Sequence, residues 1–370
     1  MRQGPKRGGS VVTYSCRASR QHERATLREL AGWLAAIKGY DFADEWDSSR
    51  RYSGPLYFVP NDTLIGIDEA GALGIKGEQD LFGGVVPFAF AATKAITHPL
   101  PRPDGTAPDG WSSEFHGRVR GVVLPGYSAF AKREARIAGK RLLELGRVRL
   151  KLPAGIGGVG QFVVDDEPAL AAHLESLDED VLARDGVVLE QDLAEVLTHS
   201  IGQVLVDELR ASYCGVQRLT TNHRGEQVYG GSDLTIARGG FDRLLMLPLA
   251  RDVVHAIDQA RAYHTAAMTS FHGMFASRCN YDVAQGVDNE GRQRSGVLEQ
   301  SWRIGGASAA ELAALEAFRA DPSLDVVRAS TIEVYSTGAV PDDAVVYFRG
   351  VDEHAGAMTK YVRIEPYGNP

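Results

Sequence analysis

The feature that most restricts the possible folds is a glycine-rich segment in mid-chain, Lys151-Leu-Pro-Ala-Gly155-Ile-Gly157-Gly158-Val-Gly160-Gln161. Short β-prone runs flank it, Val148–Leu150 before and Phe162–Val164 after. Glycines let backbone amides approach phosphate oxygens with no Cβ in the way. A lysine supplies a compact positive charge for the same oxygens. A dinucleotide-binding fingerprint needs a helix directly after the glycines, whereas here a strand follows. A Walker A loop needs Gly-Lys-Ser/Thr, which is absent. Two readings remain: a strand–glycine loop–strand flap with Lys151 at the end of its first strand, or a plain hairpin turn.

The surrounding pattern is mixed α and β. Val11–Cys16 and Leu56–Val59 read as strands, and Arg24–Lys38 as a helix with Leu27, Leu30, Ala31 and Leu34 on one face. Ala129–Leu145 predicts a charged amphipathic helix and Pro168–Glu175 a short one. Gly186–Glu190 predicts a buried strand. Gln203–Val206, Ser212–Thr220 and Glu226–Tyr229 suggest an antiparallel set with a turn at Asn222–Gly225. Asp252–Met268 is helical. A last helix runs to Ala320, where Ser308 and Glu311 have capping-box spacing. Tyr229-Gly-Gly-Ser-Asp233, Arg238-Gly-Gly240 and Gly126-Tyr-Ser128 read as turns or loops.

A second constellation lies downstream. Tyr281–Val287 and Gly296–Glu299 read as strands flanking the turn Asp288-Asn289-Glu290-Gly291. If they pair, Asp282 and Glu299 meet at one end. Two carboxylates near phosphates suit Mg²⁺, which prefers oxygen ligands and is usually held by one or two carboxylates plus phosphate oxygens. Arg303 can neutralise a transferring phosphate or grip a carboxylate. The competing reading is a surface hairpin with a charged end.

With a formal net charge of −8, the 370-residue chain offers no overall electrostatic case for nucleic acid. No run approaches the roughly 18 apolar residues that suggest a membrane span. The basic N-terminus lacks the apolar stretch of a signal peptide, so a cytoplasmic location is expected. The three cysteines, Cys16, Cys214 and Cys279, lack metal-site spacing and read as reduced and structural. The dispersed histidines read as structural or surface residues.

In their order, these residues resemble the ATP-grasp superfamily: Lys-x₃-Gly-x-Gly-Gly-x-Gly at 151–160, the hinge-like strand Gly186-Val-Val-Leu-Glu190, Asp282, then Glu-x-Ser-x-Arg at 299–303. Three stretches, 80–86, 122–128 and 295–306, resemble the bacterial domain of unknown function 3182. The resemblance implies an α/β (α+β) ATP-grasp fold with an N-terminal α/β lobe at 1–90. A small subdomain with glycine loop and hinge would occupy 91–195, and a large subdomain with the metal site and a C-terminal extension 196–370. It implies ATP and Mg²⁺ as cofactors. Lys151, Gly155, Gly157, Gly158, Gly160, Gln161 and the more loosely matched Lys94 would serve the phosphates. Glu190, Gln191 and Leu193 would meet the adenine, and Glu195 or His199 the ribose. Asp282, Glu299 and Ser301 would bind metal, with Ser301 standing where the family usually has Asn. Lys151 and Arg303 would be catalytic. The implied reaction is carboxylate–amine (or thiol) ligation through an acyl phosphate, on small-molecule substrates, in a homodimer. Alternatives are a degenerate ATP-binding protein and a carboxylase- or kinase-like enzyme.

Overall fold

The structure is a computed structural model that describes residues 8–153, 155 and 160–367. It opens with β1 (Ser10–Tyr14), α1 (Gln21–Lys38), β2 (Asp41–Glu45) and β3 (Leu56–Pro60), a parallel sheet of order β2-β1-β3. The apolar face expected on α1 is the one it buries: Leu27, Leu30, Ala31 and Leu34 are all inaccessible or nearly so. The helix stops at Gly39, whose φ of 70° few other residues adopt without strain. Next come β4 (Leu64–Ile65), α2 (Ile67–Ala72), β5 (Gly84–Val86), two 3₁₀ turns at Ala89–Ala92 and Lys94–Ile96, and α3 (Ser113–Val119).

A four-stranded antiparallel sheet follows. It comprises β6 (Gly126–Ala129), α4 (Lys132–Leu143), β7 (Val148–Lys151), β8 (Gln161–Val164), α5 (Glu167–Glu175), α6 (Glu179–Asp185) and β9 (Val187–Gln191), in strand order β6-β9-β7-β8. Gly126–Ala129 is therefore a strand and not the loop that its glycine suggested. It pairs residue for residue with Val187–Glu190, and the helix expected from Ala129 begins only at Lys132.

The rest of the chain builds around one large antiparallel sheet. This part of the chain runs through β10 (Ala194–Val206), β11 (Leu209–Thr221), β12 (Gln227–Arg238), α7 (Phe241–Leu244), α8 (Arg251–Ser270), β13 (Phe275–Ala276, which pairs instead with β5), β14 (Arg278–Val287), β15 (Gln293–Ser301), α9 (Ser308–Ala320), β16 (Val326–Val334), β17 (Val345–Asp352) and β18 (Gly356–Pro366). The eight-stranded order is β15-β14-β10-β11-β12-β16-β18-β17. α1 and α9 pack with this sheet in one core that includes Leu34, Leu312, Leu315, Ile236 and Val327. α8 packs with its other half in a second core. Among the described residues no helix is long and apolar enough to cross a membrane.

Two expectations need correction. Tyr229–Asp233 is not a turn but the interior of β12, and Gly231 sits at an irregularity in its pairing with β11. With φ at 133°, a Cβ on Gly231 would lie 1.9 Å from the Thr331 carbonyl oxygen, so only glycine fits there. Ser308 and Glu311 do not form a capping box either. The helix is preceded by Ala307 with no side-chain cap, and the Ser308 hydroxyl instead accepts from the Gly305 amide at 3.0 Å. Glu311 turns into the core, where the buried guanidinium of Arg278 needs a counter-charge.

Candidate active site

A cleft of about 1020 Å³ is lined by residues of the glycine segment, the end of β9, the β14–β15 edge of the large sheet and the N-terminal part of the chain. Lys151 closes β7 directly opposite Gln161 of β8 and Val188 of β9. Pro153, which has no amide to donate, follows the end of the strand. The chain returns through Gly160, at φ 74°, whose carbonyl accepts from Leu152 at 2.9 Å. This is the strand–glycine loop–strand arrangement, with Lys151 at its root. Gly157 and Gly158 lie outside the described residues.

Lys151 is buried and ion-paired with Glu190 of β9, also buried. His98 Nε2 lies 3.2 Å from the second oxygen of the same carboxylate. Burial opposes ionisation of Glu190, but the Lys151 ammonium and His98 outweigh it and hold the carboxyl down at about 2. The chain continues through Gln191, Asp192 and Leu193, all cleft-lining. Asp192 is clamped by Arg147 at 2.7 Å and Arg149 at 2.6 Å, and the Gln191 side-chain oxygen has no partner among the described residues. Glu195 stands apart: it is solvent-exposed at φ 51° and does not line the cleft. His199 is buried, with Nε2 3.1 Å from the Gln285 side-chain oxygen, and is also outside the lining.

On the opposite wall, β14 and β15 pair as expected, and their register sets Asp282 against Glu299. Lys94 ties this wall to the glycine segment. Its Nζ lies 2.8 Å from Glu299 Oε2 and donates to the Gly155 carbonyl at 2.8 Å. Burial first, and the Glu299 carboxylate second, push the Asp282 carboxyl up to about 6. Ser301 lines the cleft, and the residue opposite it on β14 is Asn280. Asn280 donates to Asp282 Oδ1 at 2.9 Å, while its side-chain carbonyl accepts from the Ser200 hydroxyl at 2.7 Å. An amide group thus lies directly across the strand pair from Ser301, donating to the Asp282 carboxylate. Sequence reading overlooked Asn280, although its spacing two residues from Asp282 puts both on one strand face.

Arg303 is brought to the same cleft. Its Nε lies 3.8 Å from Asp62, which Arg17 holds at 2.7 Å. Burial lowers the Arg303 pKa, with Asp62 acting against that. Arg278 donates to the Arg303 carbonyl at 2.6 Å and fixes the backbone there. Arg17 and Asp62 come from loops of the N-terminal lobe, and no local motif marks them.

Two buried lysines, the strand β9 and a carboxylate pair line this one cleft, and the topology around them is that of an ATP-grasp fold. Biotin carboxylase from Campylobacter jejuni, solved as a β-γ-ATP complex, shares it at TM-score 0.54 and 12% identity, over 96% of this chain and 87% of that one. Phosphoribosylamine–glycine ligase from Thermotoga maritima does so at TM-score 0.52 and 14% identity, over 96% and 92%. No curated protein sequence matches the chain. Over residues 11–362 it matches the family described as "Protein of unknown function (DUF3182)", and it belongs to that family.

Proposed function

We propose that the protein is an ATP-dependent ligase that activates a carboxylate as an acyl phosphate for attack by an amine or similar nucleophile, releasing ADP and phosphate. The observation that carries this reading is the double contact of Lys94, which joins the glycine segment to Glu299 in a single cleft. In the proposal, Lys94 and Lys151 hold phosphate oxygens, with Gly155, Gly160 and Gln161 beside them. The hinge at Glu190, Gln191 and Leu193 borders the adenine. Such a site works chiefly by positioning and charge neutralisation. Arg303 would stabilise charge on the phosphoryl group or acyl phosphate, in a buried setting where electrostatic interactions are strong.

The donor set suits magnesium. Among the described residues no group of three or more His, Cys, Asp or Glu could hold a metal by itself. Asp282 and Glu299 would therefore share the ion with phosphate oxygens, as magnesium usually requires. Ser301 can add a neutral oxygen. When bound, magnesium supplies charge neutralisation at the phosphates.

Two outcomes follow. In Glu299→Gln, ADP and phosphate release across a panel of carboxylates and amines should fall at least about tenfold, with weakened magnesium dependence. Wild-type behaviour in both would remove the metal assignment. The second concerns pH. Below about 6, Asp282 takes up a proton, so magnesium-dependent nucleotide affinity should be at least about tenfold weaker at about pH 5 than at about pH 8. Without metal the sign for stability is opposite. The folded-state value lies above the unfolded one, so stability falls as pH rises from about 4 to about 6. Equal magnesium affinities at the two pH values would contradict the role of Asp282.

A second reading, nucleotide binding without turnover, draws on Ser301. ATP binding with no ADP release under any substrate pair would favour it.

A further inference from the structure

The lining of the cleft also includes residues distant in sequence from the nucleotide residues, forming a chamber that none of the roles above uses. One wall is α1, with His22, Thr26 and Leu27. The other is the far half of the large sheet, where Glu333 of β16, Lys360 of β18 and Tyr347 of β17 form a row across three adjacent strands. Glu333 and Lys360 face each other in register, with Oε1 and Nζ 3.1 Å apart. Their side chains are only 12% and 9% exposed. Tyr347 sits at the irregularity between Val346 and Phe348 where β17 pairs with β18.

Three observations point to a ligand. First, a nearly desolvated ion pair on a cleft wall costs solvation energy that its own attraction offsets only partly. Second, His22 Nδ1 and Thr26 Oγ1 are buried and have no hydrogen-bond partner among the described residues, and His22 is only 9% exposed. Unpartnered buried polar atoms are uncommon and costly. They lie one helical turn apart on α1, so they share a face. Third, burial and the Lys360 charge lower the His22 pKa, which keeps the imidazole neutral and able to exchange donor and acceptor roles.

A wall that presents a carboxylate and an ammonium side by side is neutral as a unit and attracts neither a simple anion nor a simple cation. Its complement is a molecule with the same two charges at the same spacing in reverse order. We infer that this chamber binds a zwitterionic amine–carboxylate, such as an α-amino acid, with its ammonium on Glu333, its carboxylate on Lys360, and polar contacts from His22 and Thr26. Its identification as one of the two ligase substrates rests on the reading proposed above; the binding site itself does not.

The test is calorimetric titration of the full chain, with and without saturating ADP and magnesium. The probes are a panel of L-amino acids, each beside its N-acetyl form, which lacks the ammonium, and its methyl ester, which lacks the carboxylate. At least one free amino acid should bind with a Kd below about 1 mM. Both capped forms should bind at least about tenfold more weakly, as loss of a charge-assisted contact implies. Glu333→Gln and Lys360→Met should each abolish the preference for the free form and leave ADP affinity unchanged. Thr26→Val protects against misfolding as an explanation. It should weaken amino-acid binding and raise the unfolding midpoint, because it deletes an unpartnered buried hydroxyl. ADP binding without any amino acid saturating below about 10 mM would overturn the inference and leave the ligase reading intact. So would amino-acid binding unaffected by both charge variants. Amino-acid binding without ADP binding would instead sink the ligase reading.

Discussion

Lys151→Met is expected to damage the protein in two separable ways. Lys151 and Glu190 are both almost inaccessible and pair with each other, so the substitution strands a carboxylate in the interior. Breaking a buried pair from one side typically costs about 3–5 kcal/mol. His98, 3.2 Å from the other oxygen, offsets part of that. ATP affinity should also drop at least about tenfold, because a phosphate cation is gone. The double variant Lys151→Met/Glu190→Gln separates the effects. It removes the stranded charge, so the urea midpoint should largely recover while ATP affinity stays low. If affinity returned with stability, Lys151 would be structural only.

The largest effect on stability alone is expected at Glu311. Its carboxylate is fully buried and accepts from Arg278 Nη2 at 2.8 Å, Arg278 Nε at 3.0 Å and Tyr213 Oη at 2.7 Å. Glu311→Ala leaves a guanidinium that is 2% exposed without its counter-charge, a loss of about 3–5 kcal/mol measurable by urea unfolding. Because Arg278 also donates to the Arg303 carbonyl, the cleft should loosen as well. Glu311→Gln keeps the shape and most acceptors and should cost clearly less. Equal losses in the two variants would show that side-chain volume, and not charge, holds this junction.

What the sequence made legible was local. The strands flanking the glycines, the buried strand ending at Gln191 and the antiparallel pair bearing Asp282 and Glu299 each follow from a run of adjacent residues, and each is a strand in the structure. Pairings made across long separations were not legible. His98 meets Glu190 from 92 residues away, and Arg17 and Asp62 reach Arg303 from the N-terminal lobe. The errors share one physical cause, tertiary context overriding a local pattern. Glu311 has capping spacing but is recruited by Arg278. Gly230 and Gly231 look like a turn but let the strand pass close to Thr220 on one side and Thr331 on the other. β10 starts at Ala194, well before the Gln203 expected from apolar content. Its early residues Thr198 and Ser200 line the cleft, where polar side chains are suitable.

The most direct measurement is calorimetric titration of the wild-type chain with ATP, with and without magnesium, beside Asp282→Asn. The expected result is saturable binding of one ATP per chain, tightened at least about tenfold by magnesium, with that tightening lost in Asp282→Asn. No binding of ATP, or binding that magnesium and Asp282→Asn both leave unchanged, would contradict a phosphate-holding cleft between the glycine segment and the carboxylate pair.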